Sequence, residues 1–365
     1  MKKFYLLGII ASAALAMTSC SSDEVTDNGG ANSQAIEFGT YVGRDAQVRS
    51  ANAITSDDDL KKTGNGFGVF AFYTGQGAFA AATTPNFMNN QQVKWNTGDS
   101  KWEYSPLKYW PNTPGDKVSF FAYAPYDANK QWSTDSKIDY EVKNNVTEQV
   151  DLLFAPGVKD VQKQNISNNV TFTFKHALAR IGFSVAYAAD QTAEGGTLDA
   201  ATKITINKVV IRKKDASTET DGVFYKTGNL TLTAANADDA WANKAGAQAF
   251  TLATDNFTAT ELSSATAKID NLNKDDSYVM IIPQSTEFEV YVEYTVTTTD
   301  ASHPNNSSTI ENKITTPVNT AINFEANKSY TLNLVLGMTS VKVNASVEDW
   351  TPGSTTPVDV PANHE

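Results

Sequence analysis

The sequence predicts an all-β protein built from antiparallel β-sandwiches. Apolar and polar residues alternate in many short segments, and this period of two is the pattern of a strand with two distinct faces. Clusters of Gly, Pro, Asn and Asp separate the segments and act as turns. Charged residues make up only 19% of the chain, so the residues that build exposed helices are scarce.

The chain of 365 residues is too long for one ordinary core, which holds about 150 residues. We therefore expect an N-terminal sandwich over residues 35–165, a C-terminal sandwich over residues 166–353 and a tail over residues 354–365. Helical pattern is scarce, and the sequence leaves open whether pieces such as Ala235 to Ala249 are helix or loop. The candidate strands of the first domain are 35–42, 67–73, 118–123 and 151–155, and those of the second are 170–174, 181–185, 204–211, 278–283, 288–296, 330–336 and 341–347.

The amino terminus has the pattern of a lipoprotein export signal. Lys2 and Lys3 precede an apolar run, and Thr18-Ser19 precede Cys20, the only cysteine. We expect cleavage between Ser19 and Cys20, removal of residues 1–19, and acylation of Cys20. Several acyl chains anchor a protein stably where one does not. A transmembrane helix is disfavoured because the run is shorter than the roughly 20 residues that a bilayer requires.

Residues 20–34 are almost all polar and are expected to form a flexible tether. Because of the export signal and the lipid, the rest of the chain is expected to work outside the cytoplasm, attached to the outer membrane through lipid. The formal net charge of -12 disfavours nucleic acid and anionic lipid as partners.

No motif for catalysis, a metal or a cofactor stands out. The three histidines, His176, His303 and His364, lack a second ligand at metal-binding spacing, and His176 is best interpreted as a packed or capping residue. Asp57-Asp58-Asp59 lacks the rest of a calcium loop and is interpreted as a polar turn. The sequence therefore predicts a protein that is not an enzyme.

Aromatic residues cluster between Trp95 and Trp110. They include Trp102, Tyr104 and Tyr109. Rings on strands most often fill a sandwich core. The alternative is a sugar-binding face, which would make the protein a permanently anchored, glycan-binding surface lipoprotein.

Five segments resemble the fimbrillin family of Bacteroidetes, whose members are subunits of the type V pilus. In order they are Ser105-Pro106-Leu107-Lys108-Tyr109-Trp110-Pro111, Phe120-Phe121-Ala122-Tyr123-Ala124-Pro125, Asp151-Leu152-Leu153-Phe154-Ala155, residues 172–181 around His176, and Tyr330-Thr331-Leu332-Asn333-Leu334 followed by Val347-Glu348-Asp349-Trp350.

The resemblance implies two tandem transthyretin-like β-sandwich domains and maturation at the cell surface by an arginine-specific protease. The cut would follow Arg49 or, as second choice, Arg44. It would remove a first strand whose inward residues are Ile36, Phe38, Thr40 and Val42.

Loss of a strand exposes apolar surface and unpaired backbone groups, which a strand of another pilus subunit can cover. The candidate donor segment lies between Val341 and Glu365, and its best stretch alternates Val341, Val343, Ala345 and Val347, because three prolines follow Trp350. Head-to-tail contacts of this kind generate a filament. A fimbrium that serves adhesion also implies a receptor on a host or bacterial surface.

Overall fold

The computed structural model describes residues 34–42, 53–62, 64, 66–81, 84–133, 136–165, 169–188, 198–300, 302, 306–350 and 355–356. These residues form strands almost throughout, with one short α-helix, α1 (Asp57–Lys62), and several single 3-10 turns. The all-β prediction is confirmed.

The first ten strands in chain order are β1 (Glu37–Val42), β2 (Phe67–Gly75), β3 (Met88–Asn96), β4 (Lys101–Glu103), β5 (Lys117–Ala124), β6 (Lys137–Glu141), β7 (Leu153–Val161), β8 (Asn169–His176), β9 (Ala179–Tyr187) and β10 (Thr202–Arg212). The remaining strands are β11 (Thr227–Thr231), β12 (Trp241–Ala245), β13 (Phe250–Ala253), β14 (Glu261–Leu262), β15 (Lys268–Ile269), β16 (Val279–Ile281), β17 (Gln284–Thr299), β18 (Ser307–Phe324), β19 (Lys328–Leu336), β20 (Val341–Asp349) and β21 (Thr355–Thr356).

The first sheet has seven strands in the order β1-β8-β7-β5-β2-β3-β4. Its inner face supplies a core of its own, to which Phe38, Phe67, Phe120 and Phe172 contribute from four different strands. Trp102 of β4, at the far edge of the sheet, reaches the hydroxyl of Thr40 on β1. The sheet therefore curls until its two edge strands lie side by side.

The outer face of this sheet packs against the rest of the protein. Phe70, Phe121 and Phe154 project to that side and join a second core, which continues through the later strands. Burial on both faces explains why β2 and β5 read as nearly continuous apolar runs instead of alternating ones.

The later strands form three sheets. One has the order β13-β10-β17-β18 with β14 beside β10, another has the order β12-β11-β6, and the third has the order β15-β9-β19-β20-β21 with β16 beside β9. Two pairings are parallel, β1 with β8 and β9 with β19, although the sequence predicted antiparallel sandwiches.

Two strands do not follow the division of the chain at residue 165. β8, assigned from sequence to the second set, pairs with β1 and β7 and belongs to the first sheet, which ends at His176. β6 comes from the first half but pairs with β11 of the second. Local periodicity identifies a strand but not its partner, since pairing depends on residues far away in sequence.

Two local segments are decided by the structure. The stretch from Ala235 to Ala249, which the sequence left open between helix and loop, contains a 3-10 turn at Asp238–Ala240 followed by β12. Asp57 was expected in a polar turn but is the first residue of α1. The three acidic residues of its first turn are stabilised by the positive amino-terminal end of the helix dipole. Within the described part of the chain, no helix is long and apolar enough to cross a bilayer.

Candidate functional site: the slot that holds the first strand

β1 is an edge strand that lies in a slot of the first sheet. It pairs in parallel with β8 over six residues, from Glu37 opposite Asn169 to Val42 opposite Phe174. Ile36, Phe38 and Val42 point inward and are buried, whereas Glu37 and Tyr41 face solvent. The period-two alternation predicted from sequence is therefore present at Ile36, Phe38 and Val42, while Thr40 is half-buried.

Phe38 is the principal apolar anchor of the slot. Its ring lies 5.3 to 6.2 Å, between centroids, from the rings of Tyr104, Phe120, Phe172 and Phe67. Only 5% of the residue is exposed. Removal of β1 would leave a pocket walled by these four rings.

Polar groups hold the amino-terminal end of β1. The Ile36 N–H donates to the carbonyl of Lys108 at 2.9 Å, and the Tyr104 hydroxyl donates to the carbonyl of Ile36 at 2.8 Å. The Trp110 N–H donates to the carbonyl of Gln34 at 3.0 Å. These residues lie in the segment 105–111 and next to it, so the segment that carries the family resemblance forms one end of the slot.

The other end of β1 is held by α1 and β4. The Val42 N–H donates to Asp57 Oδ1 at 2.9 Å, and Trp102 Nε1 donates to Thr40 Oγ1 at 3.1 Å. α1 follows β1 in the chain, so the bond between Val42 and Asp57 joins the end of β1 to the first residue of the next element.

Burial affects the two ionisable groups that contact β1. It raises the pKa of Asp57 above its usual value, although the bonds from Val42 and Thr40 and the charge of Lys61 favour the carboxylate. Burial raises the pKa of the Tyr104 hydroxyl to about 12, so the hydroxyl keeps its proton near neutral pH and can donate to Ile36.

The outer edge of β1 faces an open cleft of about 620 Å³, which separates it from β4. In a strand, the backbone N–H and C=O groups of one residue point to the same edge, and those of the next residue point to the opposite edge. Since Ile36 and Val42 direct their groups away from β8, Phe38 and Thr40 direct theirs into this cleft as well. Glu37, Gly39 and Tyr41 face β8.

The aromatic cluster is mostly core. Trp102, Tyr104 and Trp110 are buried in the core of the first sheet, while Trp95 and Tyr109 are half-buried. Trp95 packs edge-on against Trp102, with Lys61 Nζ 4.5 Å from the centre of the Trp95 ring. Three of the five rings are therefore not available as a sugar platform. Two of these contact β1 instead, since Tyr104 packs on Phe38 and Trp102 bonds Thr40.

The residues that line the slot could not be named from the sequence, because the contacts of Asp57, Trp102, Tyr104 and Lys108 with β1 join segments that are separated in the chain. The alternation of residues 36–42 and the family resemblance of residues 105–111 were the signals that pointed to this region.

The proposed donor residues Val341, Val343, Ala345 and Val347 all lie on β20, far along the chain from the slot. β20 pairs with β19 along its whole length, and the first three of these residues are buried in the second core. Ser19, Cys20, Arg44, Arg49, His303 and His364 lie outside the described residues.

His176 is packed, as the sequence suggested, in a buried cluster at the end of β8. Its ring stacks on Trp350 with centroids 4.0 Å apart, and Nδ1 lies 3.0 Å from Asp151 Oδ1. Asp151 Oδ2 also accepts the Ile54 N–H at 2.8 Å. The cluster thus brings together Ile54, His176 at the end of β8 and Trp350, which follows β20.

The described residues hold no group of three or more His, Cys, Asp or Glu side chains that could bind a metal ion.

The fold and the slot define a class of protein: an all-β protein whose first strand fills an edge of its own sheet. A family model described as fimbrillin-like matches residues 52–350. The chain belongs to this family.

Two known proteins are similar over nearly the whole chain. A fimbrium subunit, Fim1C, of Phocaeicola vulgatus is 26% identical, with 95% of this chain and 97% of that protein covered. A crystal structure of a fimbrial protein from Bacteroides vulgatus is 20% identical, with a TM-score of 0.66 and coverage of 87% of this chain and 100% of that one. The chain is a fimbrial-subunit protein of this family. Its family is a structural one and not a class of enzymes.

Proposed function

We propose that this chain is a structural subunit of a type V pilus that polymerises by strand exchange after proteolysis. It is exported as a lipoprotein acylated on Cys20, held at the surface of the outer membrane, and cut after Arg49 or Arg44. The pilus then serves adhesion to a host or bacterial receptor.

The position of β1 is the observation that carries the proposal. β1 fills an apolar slot, but the chain that links it to the rest of the first sheet runs through residues 43–52, which contain both arginines. A cut there leaves β1 attached only by hydrogen bonds and packing. A strand from a second subunit can then replace it, covering the same pocket and the same backbone groups of β8.

The distribution of arginine supports an arginine-specific cut. The sequence contains four arginines, and the two others, Arg180 and Arg212, are almost completely buried. A protease that requires arginine in an accessible segment would therefore spare the folded body. Several lysines, such as Lys101 and Lys313, are by contrast exposed.

The proposal is tested with the double variant Arg44→Ala, Arg49→Ala, expressed in a bacterium that assembles the filament. We expect a full-length, lipidated monomer that begins at Cys20 and no filaments, as judged by N-terminal sequencing and electron microscopy. The two single variants are the matched controls. If one of them still matures, the arginine that it lacks is not the one that the protease requires. Normal filaments from the double variant would refute maturation at these arginines.

A further inference from the structure

β18 has one open edge. Among the described strands it is the outermost one of its sheet and has β17 as its neighbour there. Most of its side chains from Ser307 to Pro317 are exposed, and Ile310 is 47% exposed although it is a large apolar residue. An edge strand of this kind presents backbone N–H and C=O groups to which another strand can bind.

The ladder with β17 shows which residues of β18 direct their backbone groups to the open edge. At the tip of the hairpin the Asp300 N–H donates to the carbonyl of Asn306 at 3.0 Å, so the backbone groups of Asn306 point toward β17. These groups alternate along a strand, and the register is unbroken from Ser307 to Val318. The odd-numbered residues therefore face the open edge, which gives a row of four donors and acceptors at Thr309, Glu311, Lys313 and Thr315. Pro317 has the same direction, and its missing N–H ends the row of donors.

This row is complementary to a second copy of itself. When two such edges lie antiparallel with Asn312 opposite Asn312, the Glu311 of each copy lies opposite the Lys313 of the other. The same register places Thr309 opposite Thr315, and the four residues of each copy can exchange about eight backbone hydrogen bonds. Opposite charges that face each other across a ladder stabilise the pairing, whereas like charges destabilise it.

The other face of the paired edges is apolar in the same register. The Ile310 of each copy lies opposite the Ile314 of the other. Ile314 already packs against the second core, so the pairing extends that core over the exposed Ile310. Opposite side chains are closest where the backbone groups point away from the partner strand, as those of Ile310 and Ile314 do.

Charge disfavours the nearest alternative registers. A shift that keeps each side chain on its own face moves the second strand by two residues. In one direction this shift sets Glu311 against Glu311, and in the other it sets Lys313 against Lys313. Both arrangements bring like charges together, so the alignment centred on Asn312 is the favoured one.

The two charged side chains are accessible to a second copy. Glu311 is exposed, and the side chain of Lys313 is 63% exposed. Lys313 Nζ makes a long contact of 3.8 Å with Glu293 Oε1. Lys208 and Tyr291 donate hydrogen bonds to the same carboxylate oxygen, so Glu293 keeps partners when Lys313 turns to the open edge.

We propose that the open edge of β18 is a lateral contact between two copies of this chain, joined antiparallel about a two-fold axis at Asn312. Each contact in such an interface occurs twice, as the Glu311–Lys313 pairs do. The contact is small, so two single copies bind each other weakly. In a filament, whose existence rests on the proposed function, every subunit repeats the same edge, and many weak contacts join two filaments side by side.

Charge reversal tests the contact in the uncleaved full chain, so the result does not depend on maturation or polymerisation. Glu311→Lys and Lys313→Glu each create like-charge pairs and should weaken self-association by at least about tenfold, measured by analytical ultracentrifugation at physiological salt. A one-to-one mixture of the two variants should associate again, because every lysine then lies opposite a glutamate. All chains carry Cys20→Ser, which removes the only natural thiol.

Lys203→Glu is the matched control for the charge change. Lys203 lies on β10 of the same sheet, away from the open edge, and its side chain is 57% exposed. This variant should associate as the unmodified chain does. An equal loss in the control, no recovery in the mixture, or no self-association of the unmodified chain would overturn the proposal.

Cysteine cross-linking tests the register. Thr309→Cys is introduced into one copy and Thr315→Cys into another, so that both charges of the edge are retained. Oxidation of the mixture should give a disulfide-linked dimer, because directly opposite residues are close enough to bridge. Each variant alone should stay monomeric, since its two cysteines would lie too far apart along the ladder. A dimer from either variant alone would show a parallel or shifted strand and would overturn the alignment.

Discussion

At the scale of single residues, Phe38 is the aromatic residue by which β1 packs into its slot. Four aromatic rings surround it, and the exposed Tyr41 on the same strand has no comparable packing. The packing of β1 in the slot therefore depends on the side chain at this position.

Phe38→Ala should destabilise the uncleaved protein by about 3–5 kcal/mol, since it removes a large buried side chain and leaves a cavity. Urea unfolding near neutral pH measures the effect. Tyr41→Ala is the matched control and should change stability by less than about 0.5 kcal/mol. Equal unfolding midpoints for the two variants would mean that β1 does not contribute to the core.

Asp57 is a second residue whose environment has a measurable consequence. Because burial raises its pKa above the reference value of 3.8, the folded protein binds this proton more tightly than the unfolded chain does. The stabilisation that comes from binding this proton is complete below the pKa of Asp57 in the unfolded chain, and it is lost as the pH rises through the pKa of Asp57 in the folded protein.

Asp57→Asn cannot ionise, so its stability relative to the unmodified protein should be higher at about pH 7 than at about pH 4. Chemical denaturation at the two pH values provides the comparison. Asp58→Asn, whose side chain is 78% exposed, controls for the loss of one negative charge from the same helix. A difference that is the same at both pH values would argue against a desolvated Asp57 carboxylate.

At the scale of elements, sequence identified strands well where they alternate or are strongly apolar. β1, β5, β10 and β19 were all found near their observed bounds, because burial on one or both faces leaves a clear pattern. β18 was missed, although it has 18 residues, because most of its side chains are exposed and polar. It is held by the long ladder with β17 and, toward its carboxyl end, by Val318, Ile322 and Phe324, which are buried in the second core.

β20 should behave as part of the folded body. Val343→Asp would place an unpaired charge in the second core and should cost about 3–5 kcal/mol of stability. Asn344→Asp adds the same charge to the neighbouring, half-buried residue on the other face and should cost about 0.5 kcal/mol or less. Thermal or urea unfolding distinguishes them, and an equally small effect of both changes would indicate that β20 is easily released.

At the scale of the whole molecule, the net charge governs the encounter of subunits. Each full chain carries a formal charge of -12, so like subunits repel each other at long range. Salt screens this repulsion over a Debye length of roughly 8 Å at physiological ionic strength.

Polymerisation of the cleaved subunit should therefore be faster at physiological salt than at roughly tenfold lower salt. Light scattering after addition of an arginine-specific protease follows the rate, and a separate assay of cleavage shows whether the protease itself responds to salt. A slower assembly at higher salt would mean that attraction between local charged groups controls the encounter.

The sequence by itself determined the class of this protein, the positions of most buried strands and the inward residues of β1. These properties depend on local alternation and composition, which can be read within a few residues. The tertiary structure alone decided that β1 lies parallel to β8, that β6 joins strands of the second half, and that Asp57, Trp102 and Tyr104 hold β1. Each of these contacts joins segments far apart in the chain, and no local pattern specifies which distant edge a strand will pair with.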